Sequence, residues 1–326
     1  LAQTRVPLNL YEQQRRNLRR TRWFLAAFVA FLAFLGWGTD QFLLKGGWFC
    51  TLGALAVGGI SAGWALKSGD RAVIQSSRAV PIDPIQANHR MLDNVVEEMA
   101  IASGLPKPKV YVIPDPDPNA FATGIGPERS SIAVTQGLLE TLNREELQAV
   151  VSHEMAHVKN FDVRLMTVVA ALLGAVLLVS DFAARGMRWG GLGGGRRKGS
   201  DKGGGGGPLM LILLAVWILS VILAPFIAQL VAMAVSRERE YLADASGSEL
   251  TRNPLALASA LEKIAQHHGP TGAIKQGVAH LCIEDPKGRD AKAKASKWVS
   301  FLSTHPPVAQ RVAILKEMGY RSLASP

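Results

Sequence analysis

The residues best placed to do chemistry lie in the stretch NREELQAVVSHEMAHV at 143–158. On a helix, His153 and His157 are one turn apart, so both imidazoles leave the same face and can share one metal ion. Glu154 follows the first of them and completes an H-E-x-x-H pattern, in which two histidines bind zinc and the glutamate acts as general base toward a hydrolytic water. Such a pattern arises by chance in on the order of one chain in a hundred, so its surroundings carry the weight. Here Asn143 is placed to N-cap a helix, Glu146 completes a capping-box spacing, and the apolar residues that follow have helical periodicity.

A catalytic zinc site keeps three protein ligands and leaves its fourth position to water. The segment SREREYLADAS at 236–246 offers the third, because Glu240 and Asp244 are again one helical turn apart. Glu240 then binds zinc while Asp244 orients a ligand histidine through its ring N–H. Glu238 competes for the ligand role, but it points about 200° away around the helix and has no such partner one turn on. Arg237 and Arg239 read as ordinary charges flanking a membrane segment. The other histidines, His89, His267, His268 and His280, have no ligand spacing and read as surface or helix-end residues. Cys50 and Cys282 are too few for a disulfide framework and read as structural.

The elements that position these groups include long apolar segments. The 326 residues are 48% apolar and only 19% charged, against about 25% in ordinary soluble domains. With a formal net charge of +10, this composition disfavours a simple soluble globule, a disordered chain or a nucleic-acid tail. Seventeen uncharged residues separate Arg22 from Asp40 and 21 separate Lys45 from Lys67, enough for a transmembrane hairpin turning near Thr39–Gly47. Trp23, Trp37, Trp48 and Trp64 stand near the ends of these runs, where indoles favour the lipid–water boundary. A cleaved secretory leader is the rival reading of the first run. It is disfavoured because no small-x-small site precedes Asp40 and a second apolar run follows at once.

Arg15, Arg16, Arg19, Arg20 and Arg22 precede the hairpin, and Lys67, Arg71 and Arg78 follow it, so the positive-inside rule puts both flanks in the cytoplasm. Two more apolar runs, 165–180 and 208–233, bracket a glycine-rich loop at 186–207. That loop carries Arg188, Arg196, Arg197, Lys198 and Lys202 against one Asp201, which conflicts with its being outside if both runs span. Spanning is the favoured reading; packing on the domain or the bilayer surface is the alternative. Around the site, a helix is expected over about 85–103, short strands at Lys109–Ile113, Asn119–Thr123 and Ser131–Thr135, and helices near Pro254–Gln266 and Pro306–Met318. The polar segment 284–297 between the last two is expected to be mobile.

HEMAH at 153–157, SREREYLADA at 236–245, PNAFATG at 118–124 and STHPPVAQR at 303–311 stand in the order seen in the HtpX family of integral-membrane zinc metallopeptidases, relatives of the CAAX prenyl peptidases. The resemblance covers nearly the whole chain; the long basic glycine loop departs from it. It implies a mainly helical α+β fold: transmembrane helices with a cytoplasmic zincin-like (gluzincin) metallopeptidase domain. The implied divisions are a basic N-terminus at 1–22, a membrane hairpin at 23–66, peptidase segments at 67–164 and 237–326, and an insert at 165–236. It further implies one zinc ion on His153, His157 and Glu240, Glu154 as base and proton shuttle, and Asn119, Ala120, Phe121 and Ala122 as a strand whose edge takes up substrate backbone. By the same resemblance His305 and Arg311 lie near the site, where an imidazole or cation stabilises an oxyanion. From sequence alone, His305 before Pro306 and Pro307 reads as a helix-start residue.

The function expected is a zinc endopeptidase of the bacterial inner (plasma) membrane that cleaves membrane proteins or peptides in quality control and stress response, with no nucleic-acid partner. A silent scaffold with structural zinc, or a prenyl-protein peptidase, are the alternatives. Retention of Glu154 argues against the first, since a structural zinc needs no base and favours a closed four-ligand site. The second is expected to need a larger intramembrane chamber.

Overall fold

The computed structural model describes residues 10–43, 46–172, 237–267, 281–284 and 306–324. Among these, residues 10–22, 65–171 and those from 237 onward belong to one unit, and residues 23–64 to a second.

The second unit is a helical hairpin. Helix α1 (Leu10–Gly38) ends in a π-helical turn, Thr39–Leu43, and α2 (Phe49–Ser76) returns. Both helices are long and apolar enough to cross a membrane. Asp40 closes the turn: its Oδ1 accepts from the Cys50 N–H at 2.9 Å and its Oδ2 from the Thr51 N–H at 2.8 Å, capping the start of α2. Small residues let the helices meet, since a Cβ on Gly36 would stand 2.5 Å from the Cys50 carbonyl oxygen. Trp23, Trp48, Phe49, Ile60 and Trp64 are exposed, as lipid-facing side chains of a hairpin are.

The first unit is built around a four-stranded mixed sheet in the order β1-β2-β4-β3, made of Val80–Pro81, Lys109–Ile113, Arg129–Thr135 and Ala120–Gly126 respectively. Strands β2 and β4 are parallel, while β3 and β4 form an antiparallel hairpin. The three expected strands are present, and β3 and β4 are longer than expected. The two-residue β1 and the short α4 (Gln136–Thr141) carry too little periodicity to read from sequence. Helix α3 (Ala87–Ser103) closes on Gly104 at φ 69°, a left-handed C-cap that glycine adopts without strain.

Helix α5 (Arg144–Lys159) carries the H-E-x-x-H residues and is buried from Ala149 to Val158, ringed by α3, α6 (Arg237–Thr251), α7 (Pro254–Gln266) and β3. Leu147, Val150, Val151, Met155 and Val158 pack into the main apolar core with Leu257, Leu261 and Ile264 of α7 and Val312 and Leu315 of α8 (Val308–Ala324). The expected capping box is formed: Asn143 Oδ1 accepts from the Glu146 N–H at 2.9 Å, and Glu146 Oε2 from the Asn143 N–H at 2.9 Å. Glu146 also accepts from Ser259 Oγ and Lys263 Nζ, both at 2.7 Å, so the cap joins α5 to α7. Residues 173–180 of the run at 165–180, the whole of the run at 208–233, the loop at 186–207 and residues 285–297 lie outside the described residues.

Candidate metal centre and active site

Helical spacing puts His153 and His157 on one face of α5, and their rings stand perpendicular with centroids 4.9 Å apart. Glu240 reaches them from α6: its carboxylate oxygens lie 3.6 Å from His153 Nε2 and 3.6 Å from His157 Nε2. One donor atom from each of the three residues falls within 4.8 Å of the others, and all three side chains are buried. Zinc binds nitrogen and oxygen at about 2.0–2.2 Å, so a tetrahedral set separates its donors by about 3.3–3.6 Å. The two Glu240–histidine distances, 3.6 Å each, match that separation. Both ring nitrogens of His153 are buried without a hydrogen bond, and Nε2, facing Glu240 and His157, is placed to take up a metal ion.

The carboxylates of Glu154, Asp162, Glu240 and Asp244 and the guanidiniums of Arg239 and Arg311 are all buried around the cluster. Burial works against charging His153, yet Asp244 and Glu240 outweigh it and push its pKa up to about 9. A proton and a metal ion therefore compete for this ring.

The ring nitrogens facing away from Glu240 have carboxylate partners. His153 Nδ1 lies 3.0 Å from Asp244 Oδ1, the orienting contact expected from the Glu240/Asp244 register. His157 Nδ1 lies 3.4 Å from Asp162 Oδ2. Asp162 is a residue that sequence reasoning missed. It follows the end of α5, where helical spacing no longer applies, and Phe161 at φ 58° turns the chain so that Asp162 comes back toward the ligand.

Arg311 of α8 is fully buried. Its Nε and Nη2 donate to Asp244 at 2.8 and 2.6 Å, its Nη1 donates to the Ile283 carbonyl at 3.0 Å, and the same Nη1 is 3.3 Å from Glu240 Oε2. The guanidinium thus ties Asp244, Glu240 and the 281–284 segment together. Burial opposes the Asp244 charge, but this pairing draws its pKa down to about 2. Arg239, read from sequence as a flanking charge, is instead buried with Nη1 3.6 Å from Asp162 Oδ1. His305 lies outside the described residues.

Glu154 is buried beside the histidines. Burial raises its pKa above the usual carboxylate range, while the histidines and the Ala122 N–H, which donates to it, pull the other way. Position 247 sets the approach of α6: a Cβ on Gly247 would stand 2.9 Å from the His153 backbone nitrogen, and the Gly247 carbonyl accepts from Ser152 Oγ at 3.0 Å. Only a residue without a side chain lets Glu240 and Asp244 come this close to α5.

Strand β3 stands at the sheet edge next to α5, but its outer side is not open at Ala120 and Phe121. The Ile283 N–H donates to the Ala120 carbonyl at 2.9 Å, Phe121 bridges Cys282, and Asn119 Nδ2 donates to the Glu284 carbonyl at 3.0 Å. Asn119, Ala120, Phe121 and Ala122 are all buried. A segment as short as 281–284 carries no strand signal of its own, so its pairing was not legible. His89 is a helix-end residue as expected, in the first turn of α3, but it is buried, and its Nδ1 accepts from the Asp83 N–H at 3.0 Å. His267 sits at the C-cap of α7; His268 and His280 are outside the described residues.

Residues 86–319 match the model of peptidase family M48. The chain is 42% identical over 312 residues to a protein named protease HtpX homolog of Caldanaerobacter subterraneus subsp. tengcongensis, covering 95% of this chain and 98% of that one. It is 38% identical over 309 residues to the protease HtpX homolog of Streptococcus uberis, covering 95% and 100%. The chain belongs to the HtpX proteases of peptidase family M48. Membership makes this chain a membrane metalloprotease, and the His153, His157 and Glu240 cluster has the composition and geometry to hold a metal ion. A solved structure titled Crystal Structure of S. mikatae Ste24p aligns with a TM-score of 0.48 and 17% identity, over 94% of this chain and 66% of that one.

Proposed function

We propose that the chain is a zinc-dependent endopeptidase that cleaves peptide bonds of membrane proteins at the cytoplasmic face of a bacterial inner membrane, in quality control of damaged or misfolded proteins. The convergence of His153, His157 and Glu240 around one point, with Glu154 buried beside it, carries the reading. Zinc held by these three side chains supplies Lewis-acid polarisation. The Glu154 carboxylate takes a proton from the attacking water and passes it to the departing amide nitrogen. Burial raises its proton affinity, which favours its holding the proton between the two halves of that task. The Ala122 N–H holds one side of the carboxylate in place. Asp244 and Asp162 orient the two histidines, and Arg311 holds Asp244 and Glu240.

Substrate binds alongside Asn119, Ala120, Phe121 and Ala122, so a substrate strand on β3 takes the place that residues 281–284 hold at Ala120 and Phe121. The cytoplasmic placement rests on the arginines before α1's apolar run and the lysine and arginines after the second run. Labelling of single cysteines introduced at 186–207 tests that topology. The deciding experiment for the chemistry is Glu154→Gln in the full-length protein. It is expected to retain one zinc ion by metal analysis and to cleave a membrane-protein substrate about 10²–10⁴-fold more slowly. Unchanged cleavage by the zinc-loaded variant would falsify the role of Glu154.

A further inference from the structure

The basic stretch before the first apolar run is helical from Leu10 onward, and one face of it is turned inward. Arg15, Arg16, Arg19 and Arg22 are exposed, whereas Asn17 and Thr21, one turn apart, are buried. Asn17 Nδ2 donates to Asp162 Oδ1 at 2.6 Å and to the Asn160 carbonyl at 2.9 Å, which uses both N–H bonds of the amide. Asp162 is fully buried, and its other oxygen faces His157 Nδ1 at 3.4 Å.

We infer that this N-terminal arm is a working part of the metal centre: Asn17, acting through Asp162, positions His157. The inference rests on the reading of His153, His157 and Glu240 as the metal site. Three observations carry it. Asp162 follows a residue in the left-handed region, Phe161 at φ 58°, so the turn that brings its carboxylate to His157 is strained and needs holding. Asn17 holds it from both sides, by the Asn160 carbonyl before Phe161 and by the Asp162 carboxylate after it. An amide donor also fixes the carboxylate without adding a charge of its own, leaving Asp162 Oδ2 free to orient His157 Nδ1. Arg239 also pairs with this carboxylate, its Nη1 3.6 Å from Oδ1, so Asn17 and Arg239 hold Asp162 together.

The same arm contains its own control. Gln14 Nε2 donates to the Lys159 carbonyl at 2.8 Å, tying the arm to the end of α5 without touching Asp162. A clasp that merely holds the arm down involves both residues; a positioning role belongs to Asn17 alone. The test uses full-length protein in detergent, with zinc affinity measured by competition with a chromophoric chelator and ligand geometry read from the visible spectrum of the cobalt-substituted protein. Asn17→Ala and the isosteric Asn17→Asp are expected to weaken zinc binding about 10–100-fold and to alter the cobalt spectrum. Gln14→Ala is expected to change neither. Adding Asn17→Ala to Asp162→Asn is expected to cost no further affinity, because both act along one path. Wild-type affinity and spectrum in both Asn17 variants, or an equal loss in Gln14→Ala, overturns the inference while leaving the metal centre intact. A wild-type protein that takes up no metal overturns the metal-centre reading itself, and the inference with it.

Discussion

Arg311→Met removes a charge that the site is built around. The guanidinium is fully buried, makes two hydrogen bonds to Asp244 and one to the Ile283 carbonyl, and stands 3.3 Å from a Glu240 oxygen. Methionine fills a similar volume, so cavity formation is a minor part of the cost. What remains is the buried Asp244 charge, left with His153 Nδ1 at 3.0 Å, and a buried backbone carbonyl deprived of its donor. Breaking a buried ion pair from one side costs about 3–5 kcal/mol. For a unit of 150–250 residues each kcal/mol moves the melting temperature by about 2–4 °C, so a fall of roughly 6–20 °C is expected. Arg311→Lys keeps the charge but cannot reach both Asp244 oxygens as a fork, and is expected to fall between the two. The assay is thermal unfolding of the full-length protein in detergent after chelation, because bound metal adds its own stabilisation. If Arg311→Met melts within about 2 °C of wild type, the guanidinium does not hold Asp244 and Glu240 as argued.

Two further changes test the surroundings of the site. Gly247→Ala places a methyl group against the His153 backbone, where no flexible side chain can give way. It is expected to cost about 1–3 kcal/mol by overpacking and to weaken metal binding by pushing Glu240 away, both measurable by melting and chelator competition. The Glu146 cap gives a pH signature separate from the metal. Burial opposes its charge, but Lys263, Ser259 and the Asn143 N–H outweigh burial and hold its pKa below the usual range. A depressed carboxylate contributes stability that is present above its unfolded pKa of about 4.3 and lost as pH falls through the lower folded value. Lys263→Met is therefore expected to lower the melting temperature by roughly 1–3 °C at pH 6, the lysine being half-exposed, with the difference shrinking as pH falls below about 4. A difference that grows on acidification contradicts this account.

Sequence alone determined what depends on local spacing. The helical period placed His153 and His157 together and Glu240 one turn from Asp244; the capping box marked the start of α5; and uninterrupted apolar runs marked the hairpin. Each is a property of residues within a few positions of one another, so the chain displays it without folding. Tertiary structure alone decided which distant groups meet. Asp162 reaches His157 because the chain turns at Phe161, and Asn17 reaches Asp162 across 145 positions. Arg311 reaches Asp244 across 67 positions, and residues 281–284 pair with the edge of β3 at Ala120 and Phe121. Arg239 looked like a membrane flank because exposed and buried arginines are the same letter in a sequence. Its burial beside Asp162 follows from the charge balance of an interior where every unpaired carboxylate is costly.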